Sequence, residues 1–270
     1  VINDTYLRPW ESLAINDDAM WSRCRAGHDA HETQIVFPDR RYFAGRNIGF
    51  TTYDWAQYLD KYDCYCTGQD VISRQIDVDG AWERNESQLF ADVCAGDRPG
   101  IVVDYGCQIG WYSTIAAAHQ RFVIAVDVSP ENLRLATLNM RAAGWDHWLA
   151  VNGWVDESAL PVDADVHIRA AKLDIEGAEI HAVRQLAQPL AAGHVDYLFI
   201  EISPVFNDTY RALIAALVAW DYVPFRVPEK DQLRSLALQT LVVKYQIGDI
   251  DEFLEGLNQT DVVFIRKALL

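Results

Sequence analysis

Two acids and two glycines stand where a backbone can meet a small polar ligand. An apolar run beginning at Ile101 leads into Asp104-Tyr105-Gly106-Cys107-Gln108-Ile109-Gly110. The pattern Asp-x-Gly-x-x-x-Gly predicts a buried strand feeding a tight turn, because a missing Cβ permits positive φ and close approach of the main chain to a ligand. A second strand, Phe122 to Val126, begins after one helix length and runs into Asp127. That interval suits a βαβ crossover, which places Asp104 and Asp127 at neighbouring strand ends. Two carboxylates there suit a ligand carrying an amine and ribose hydroxyls. A phosphate ligand fits worse, since the Lys-Ser/Thr of a P-loop is missing and the spacing is not Gly-x-Gly-x-x-Gly. The implied cofactor is S-adenosylmethionine.

These residues need a scaffold, and from about residue 100 the chain supplies one by alternating strand-like and helix-like segments. The rhythm predicts an α/β fold, a mostly parallel sheet with helices on both faces. Helices are expected over Glu86 to Val93, Trp111 to His119, Ser129-Pro130 to Gly144, Ala178 to Leu190 and Asp208 to Trp220. After the first two strands come Leu149 to Val151, Ile168 to Asp174, Val195 to Glu201, Tyr222 to Val227 and Asp261 to Ile265. The fourth and fifth strands end in carboxylates, Asp174 and Glu201. Between the last two strands, residues 228–260 read as a helical insertion, with a helix from Asp249 to Leu257, where a hairpin would need only a few residues. This insertion is a candidate lid. Residues 1–80 lack the α/β rhythm and are crowded with aromatics, among them Trp10, Trp21, Tyr42, Phe43 and Trp55. They read as an appended, substrate-side region in which Thr51 to Tyr58 carries a helix-start signal. The division is therefore 1–80 as appendage and 81–270 as the main domain.

Composition narrows the function. The chain has 270 residues, half of them apolar, with a formal charge of -16. Such a charge repels phosphate backbones and argues against a nucleic-acid partner. No apolar run approaches the roughly 20 residues that span a bilayer, and five cysteines at irregular spacing suit reduced thiols. A cytoplasmic location is expected. Cys24, His28 and His31 with Cys64-x-Cys66 have spacings unlike those of a zinc ribbon or finger, so unligated side chains are the preferred reading.

The stretch from about Gly80 to Phe206 resembles the FkbM family of S-adenosylmethionine-dependent O-methyltransferases. Several parts are in register: Gly80-Ala-Trp82-Glu83 before a helix, Asp104-x-Gly106-x-x-x-Gly110, Pro130-x-Asn132 followed by Asn139, Lys172-x-Asp174-x-Glu176-Gly177-x-Glu179, and Glu201. The element starting at Lys172 is the specific one. Two departures stand out: Gly106-Cys107-Gln108 replaces the usual Gly-Ala-Asn, and Asp127-Val-Ser-Pro130 replaces Glu-Pro. Each keeps its chemistry, an amide and a carboxylate. The resemblance implies a Rossmann-like class I methyltransferase fold, a seven-stranded sheet with a reversed last strand, and methyl transfer to a hydroxyl of a sugar, glycolipid or natural-product molecule.

Methyl transfer to an alcohol needs a base or a metal that lowers the hydroxyl's pKa. In open α/β sheets the crevice lies beyond the carboxyl ends of the strands, which places Asp104, Asp127, Asp174 and Glu201 around one opening. Asp104, Gly106, Gln108 and Gly110 are assigned to the methionine end of the cofactor. Asp127 is assigned to the ribose, with Asn132 supporting its loop, and Asp156 to the adenine side. The base is one of Asp174, Glu176 and Glu201, with Lys172 as electrostatic partner. Glu176 and Glu179 have an alternative role as caps of the following helix. A divalent metal on Asp174 and Glu201 is possible but not favoured. Two other functions compete: an N-methyltransferase on peptide or nucleic acid, and a catalytically silent binding module. The cofactor turn is unbroken, which argues against the second.

Overall fold

The computed structural model describes residues 35–36, 41–43, 46–48, 52–53, 72, 75–76, 81–142, 146–155, 160, 165–206, 209–228 and 236–270. Four short strands lie in the N-terminal region: β1 (Ile35–Val36) pairs with β4 (Thr52–Tyr53), and β2 (Arg41–Phe43) with β3 (Arg46–Ile48). The helix expected over Thr51 to Tyr58 is therefore not formed at Thr52 and Tyr53. Local capping chemistry gave way there to strand pairing. Cys24, His28, His31, Cys64 and Cys66 lie outside the described residues, as do Gly80 and Asp156.

The main sheet is built from β5 (Ile101–Tyr105), β6 (Val123–Asp127), β7 (Trp148–Asn152), β8 (Ile168–Leu173), β9 (Val195–Ile202), β10 (Tyr222–Arg226) and β11 (Thr260–Arg266). Its seven strands run in the order β10-β11-β9-β8-β5-β6-β7, and only β11 is reversed. Every residue of β5, β8 and β9 is buried, as expected of strands covered on both faces. Successive residues go to opposite cores. Val102, Tyr197 and Phe199 face one layer, and Val103, Leu198 and Ile200 the other.

The first layer receives α1 (Arg84–Ala95), α2 (Trp111–Ala118) and α3 (Pro130–Ala142) through Phe90, Ile115 and Leu133. The second receives α4 (Glu179–Gln185), α5 (Ala187–Ala191) and α6 (Tyr210–Ala219) through Val183, Leu190 and Leu213. The single helix expected over Ala178 to Leu190 is thus two, broken at Leu186, three residues before Pro189. A proline removes one backbone donor and crowds the preceding turn. Between β10 and β11 the chain forms α7 (Leu238–Lys244) and α8 (Ile250–Leu254), the latter capped by Asp249, whose carboxylate accepts from the N–H groups of Asp251 and Glu252. Among the described residues no helix is long and apolar enough to cross a membrane.

Strand order reverses at β5: the chain moves outward through β6 and β7, then crosses to β8 on the other side. The crevice at such a switch point opens beyond the carboxyl ends of β5 and β8. Asp104 pairs in register with Lys172 there, and Asp261 of β11 with Glu201 of β9.

Candidate functional site

The turn after β5 takes its shape from three left-handed residues, Gly106 at φ 71°, Gln108 at 47° and Gly110 at 80°. A Cβ on Gly106 would stand 1.9 Å from the carbonyl oxygen of Asp174, and one on Gly110 2.6 Å from Cα of Ala136. The glycines therefore let the turn pack against the β8 end and against α3. This internal closeness, rather than ligand approach alone, fixes their type. Gln108 folds back on the loop, its Oε1 accepting from the Ile109 N–H at 2.7 Å.

Asp127 ties that loop to the next helix. Its Oδ2 accepts from the Gln108 N–H at 2.9 Å, and its Oδ1 from the Ser129 N–H at 2.8 Å and Asn132 Nδ2 at 3.2 Å. Burial raises its pKa against the pull of these donors. Asp104 is placed more deeply than the sequence suggests. Its Oδ2 accepts from both the N–H (2.9 Å) and the hydroxyl (2.6 Å) of Ser113, supplying a cap that Gly110 at the start of α2 lacks. The side chain is 1% exposed, and burial pushes its carboxyl up to about 6.

Lys172 occupies the centre of the crevice floor. It is 1% exposed and lies 2.9 Å from Glu86, 3.5 Å from Asp174, and 3.8 Å from both Glu83 and Asp261. Burial alone would lower its pKa, but these four carboxylates outweigh burial and raise it well above the usual lysine value. One cation cannot balance four anions. Burial pushes Glu83 and Asp261 up to about 8 and Glu86 to about 7. The geometry agrees with proton uptake: the Tyr112 hydroxyl is 2.6 Å from Oε2 of both Glu83 and Glu86. A phenol has one hydrogen to donate, so one of the two carboxyls holds a proton in this arrangement.

Of the three expected bases, Asp174, Glu176 and Glu201 each offer an oxygen within 4.8 Å of the others. Glu201 is 5% exposed and accepts from Gln259 Nε2 and, at 3.2 Å, from the Ser203 hydroxyl. Burial first, and then the neighbouring Asp174, push its carboxyl up to about 7. Glu176 is exposed and held at φ 53°, and burial raises its pKa. Glu179 does not cap α4, which has no side-chain cap, but ties down the loop before it. It is fully buried, accepts from the N–H groups of Ile175 and Gly177, and receives the Tyr210 hydroxyl at 2.6 Å.

Glu83, Glu86, Tyr112 and Asp261 were not singled out as site residues from the sequence, although Glu83 fell within the family-like motif. The usable signal was Glu86, an acid one turn before the apolar Leu89, Phe90 and Val93 that the helix buries. The left-handed residues Glu83, Gln108 and Glu176 all border this crevice, as strained backbone at functional sites tends to.

No protein-family model and no curated protein matches the sequence. Solved structures do. A TehB-like methyltransferase from Corynebacterium glutamicum is 13% identical over 72% of this chain and 94% of its own, with a TM-score of 0.46. An rRNA methylase from Streptococcus thermophilus is 16% identical over 67% and 93%, at 0.42. A precorrin methyltransferase from Geobacter metallireducens is 11% identical over 67% and 88%, at 0.43. On its own strand order the sheet is Rossmann-like, with seven strands, one of them reversed, and a glycine turn at the switch point.

Proposed function

We propose that the protein is an S-adenosylmethionine-dependent O-methyltransferase acting on a hydroxyl of a sugar, glycolipid or natural-product molecule. The observation that carries this reading is the Asp174, Glu176 and Glu201 trio beside the glycine turn, with the Glu201 carboxyl held near neutrality. A hydroxyl must lose its proton to attack a methyl group, and a base that titrates near the working pH serves best.

The rim fits the cofactor. Asp127 stands beside the glycine turn, its carboxylate accepting from Gln108, Ser129 and Asn132, and the apolar side chains of Val128 and Trp154 are left exposed next to it. Asn152 holds that corner together, its Nδ2 donating to the carbonyls of Asp127 and Val128. A flat heteroaromatic ring joined to a ribose matches such a surface. Asp104, Gly106, Gln108 and Gly110 would hold the methionine end, Asp127 with Asn132 the ribose, and Asp156 the adenine side. When bound, the cofactor supplies an electrophilic methyl on a sulfonium.

The chain's own residues do the rest. Asp174 and Glu201 orient the acceptor hydroxyl and Glu201 accepts its proton, with burial first and then Asp174 and Glu176 keeping that carboxyl's pKa high. Lys172 holds Asp174 in place and offsets its charge. Gln259, from the segment between β10 and β11, donates its Nε2 to Glu201 and orients that carboxyl. The cysteines Cys94 and Cys107 are buried and free, in keeping with work in the reducing cytoplasm. The test is transfer of isotope-labelled methyl to a panel of glycans and hydroxylated small molecules, with peptide and RNA as controls. Label on a hydroxyl acceptor supports the reading, and label on peptide or RNA nitrogen alone refutes it.

A further inference from the structure

The cluster around Lys172 contains a carboxylate trio that the proposed methyl transfer does not use. Glu83 and Glu86, one helical turn apart at the start of α1, and Asp261 of β11 each bring a carboxylate oxygen within 4.8 Å of the others. Topology explains the meeting. Alternation along the strands puts residues 170 and 172 of β8 on the sheet face that α1 covers, together with residues 261, 263 and 265 of β11. Reversed β11 thus brings its second residue, Asp261, to the carboxyl end of the parallel strands, where α1 begins.

The oxygens of this trio are not used equally. Glu86 Oε2 is engaged twice, by Lys172 Nζ at 2.9 Å and by the Tyr112 hydroxyl at 2.6 Å. Oε1 of the same carboxylate is buried and has no hydrogen-bond partner. Such an oxygen is costly, because it has given up its hydration and received nothing in return. Burial aside, Asp261 is the charge that Glu86 feels most strongly. With Oε2 turned to Lys172, Oε1 is the oxygen left for the acidic side of the cluster. Lys172 cannot serve that side as well, since its one ammonium already answers Glu86, Asp174, Glu83 and Asp261. The trio is reachable from solvent through Glu83 and Asp261, whose side chains are 19% and 23% exposed.

We propose that Glu83, Glu86 and Asp261 bind a divalent metal ion of the oxygen-seeking class, through Glu86 Oε1 and one carboxylate oxygen from each of the other two. Ions of this class, Ca2+, Mn2+ and Mg2+, take carboxylate oxygens at about 2.0–2.6 Å and complete their shell with water, which the part-exposed edge admits. A donor set of carboxylates alone, without thiol or imidazole, selects such ions over zinc or copper. Lys172 keeps Oε2, so the Glu86 carboxylate stands between an ammonium and the ion. The ion ties the start of α1 to β11 and is separate from the Asp174, Glu176 and Glu201 trio, whatever acceptor that trio serves.

The test is calorimetric titration of the chelator-treated full chain with CaCl2, MnCl2 and MgCl2 in turn, against NaCl at matched ionic strength. At least one of the three should bind saturably, one ion per chain, and raise the melting temperature as a ligand of the native state does. Glu83→Gln and Asp261→Asn should each weaken that binding at least about tenfold, the loss that even supporting residues of metal sites cause. Glu201→Gln, which removes a carboxylate from the neighbouring trio instead, should leave the affinity unchanged. Glu83→Gln alters only the part-exposed edge of the cluster, and a cooperative melt in chelator checks its fold independently of the ion. The proposal is overturned if none of the three ions binds saturably, or if Glu83→Gln and Asp261→Asn bind like the parent while Glu201→Gln loses the ion.

Discussion

Glu86→Gln isolates the charge imbalance around Lys172. Glu86 is 1% exposed, and its carboxyl ionises near pH 7 in the fold against 4.5 in the unfolded chain. A group whose pKa is raised on folding contributes stability that is complete below the unfolded value and lost as pH rises through the folded one. For Glu86 that loss amounts to roughly 3 kcal/mol between pH 4.5 and pH 8. Glutamine keeps the shape, still accepts from the Lys172 ammonium 2.9 Å away, and does not titrate. Urea unfolding at several pH values, compared between parent and variant, cancels the contributions of Glu83 and Asp261 to first order. The variant should gain on the parent by roughly 3 kcal/mol as pH rises across this window. Parallel profiles, or a parent that gains stability as pH rises from 4.5 to 8, would refute the idea that the cluster holds excess protons.

Other perturbations reach other parts of the site. Lys172→Met leaves Glu86, Glu83, Asp174 and Asp261 without their shared cation, and chemical denaturation should show a loss of about 3–5 kcal/mol, easing as the pH is lowered. Gly106→Ala drives a Cβ into the Asp174 carbonyl at positive φ, so thermal melts should register a loss of more than about 2 kcal/mol; an unchanged melt would mean the turn is looser than described. In the parent enzyme kcat/KM should rise as pH passes through about 7, when Glu201 loses its proton. Glu201→Gln should remove that limb and lower kcat by about 10²- to 10⁴-fold with KM little changed.

The legible part of this protein was whatever sequence proximity records. The apolar run into Asp104, the glycines two and six residues on, and the strand ending at Asp127 all lie within one βαβ unit, and each element formed within a few residues of expectation. The lysine-to-glutamate element after β8 likewise travels as one segment. What stayed hidden depends on contacts between distant elements. Glu86 reaches Lys172 across 86 positions, and Asp261 joins them because reversed β11 pairs it with Glu201. No periodicity announces such meetings. The strand end marks Asp104 as a ligand carboxylate, and nothing in the sequence shows that the N-terminus of α2 also claims one of its oxygens. The helix after β8 was too long by one break because apolar spacing continues across Leu186.

S-adenosylhomocysteine titrated into the purified chain by calorimetry tests the central claim most directly. The crevice described here predicts saturable one-to-one binding, weakened at least about tenfold in Asp127→Asn, whose amide cannot replace the acceptor lost to the ribose and the Gln108 N–H. Absence of heat together with an unmoved melting temperature, or equal affinity in the variant, would contradict it.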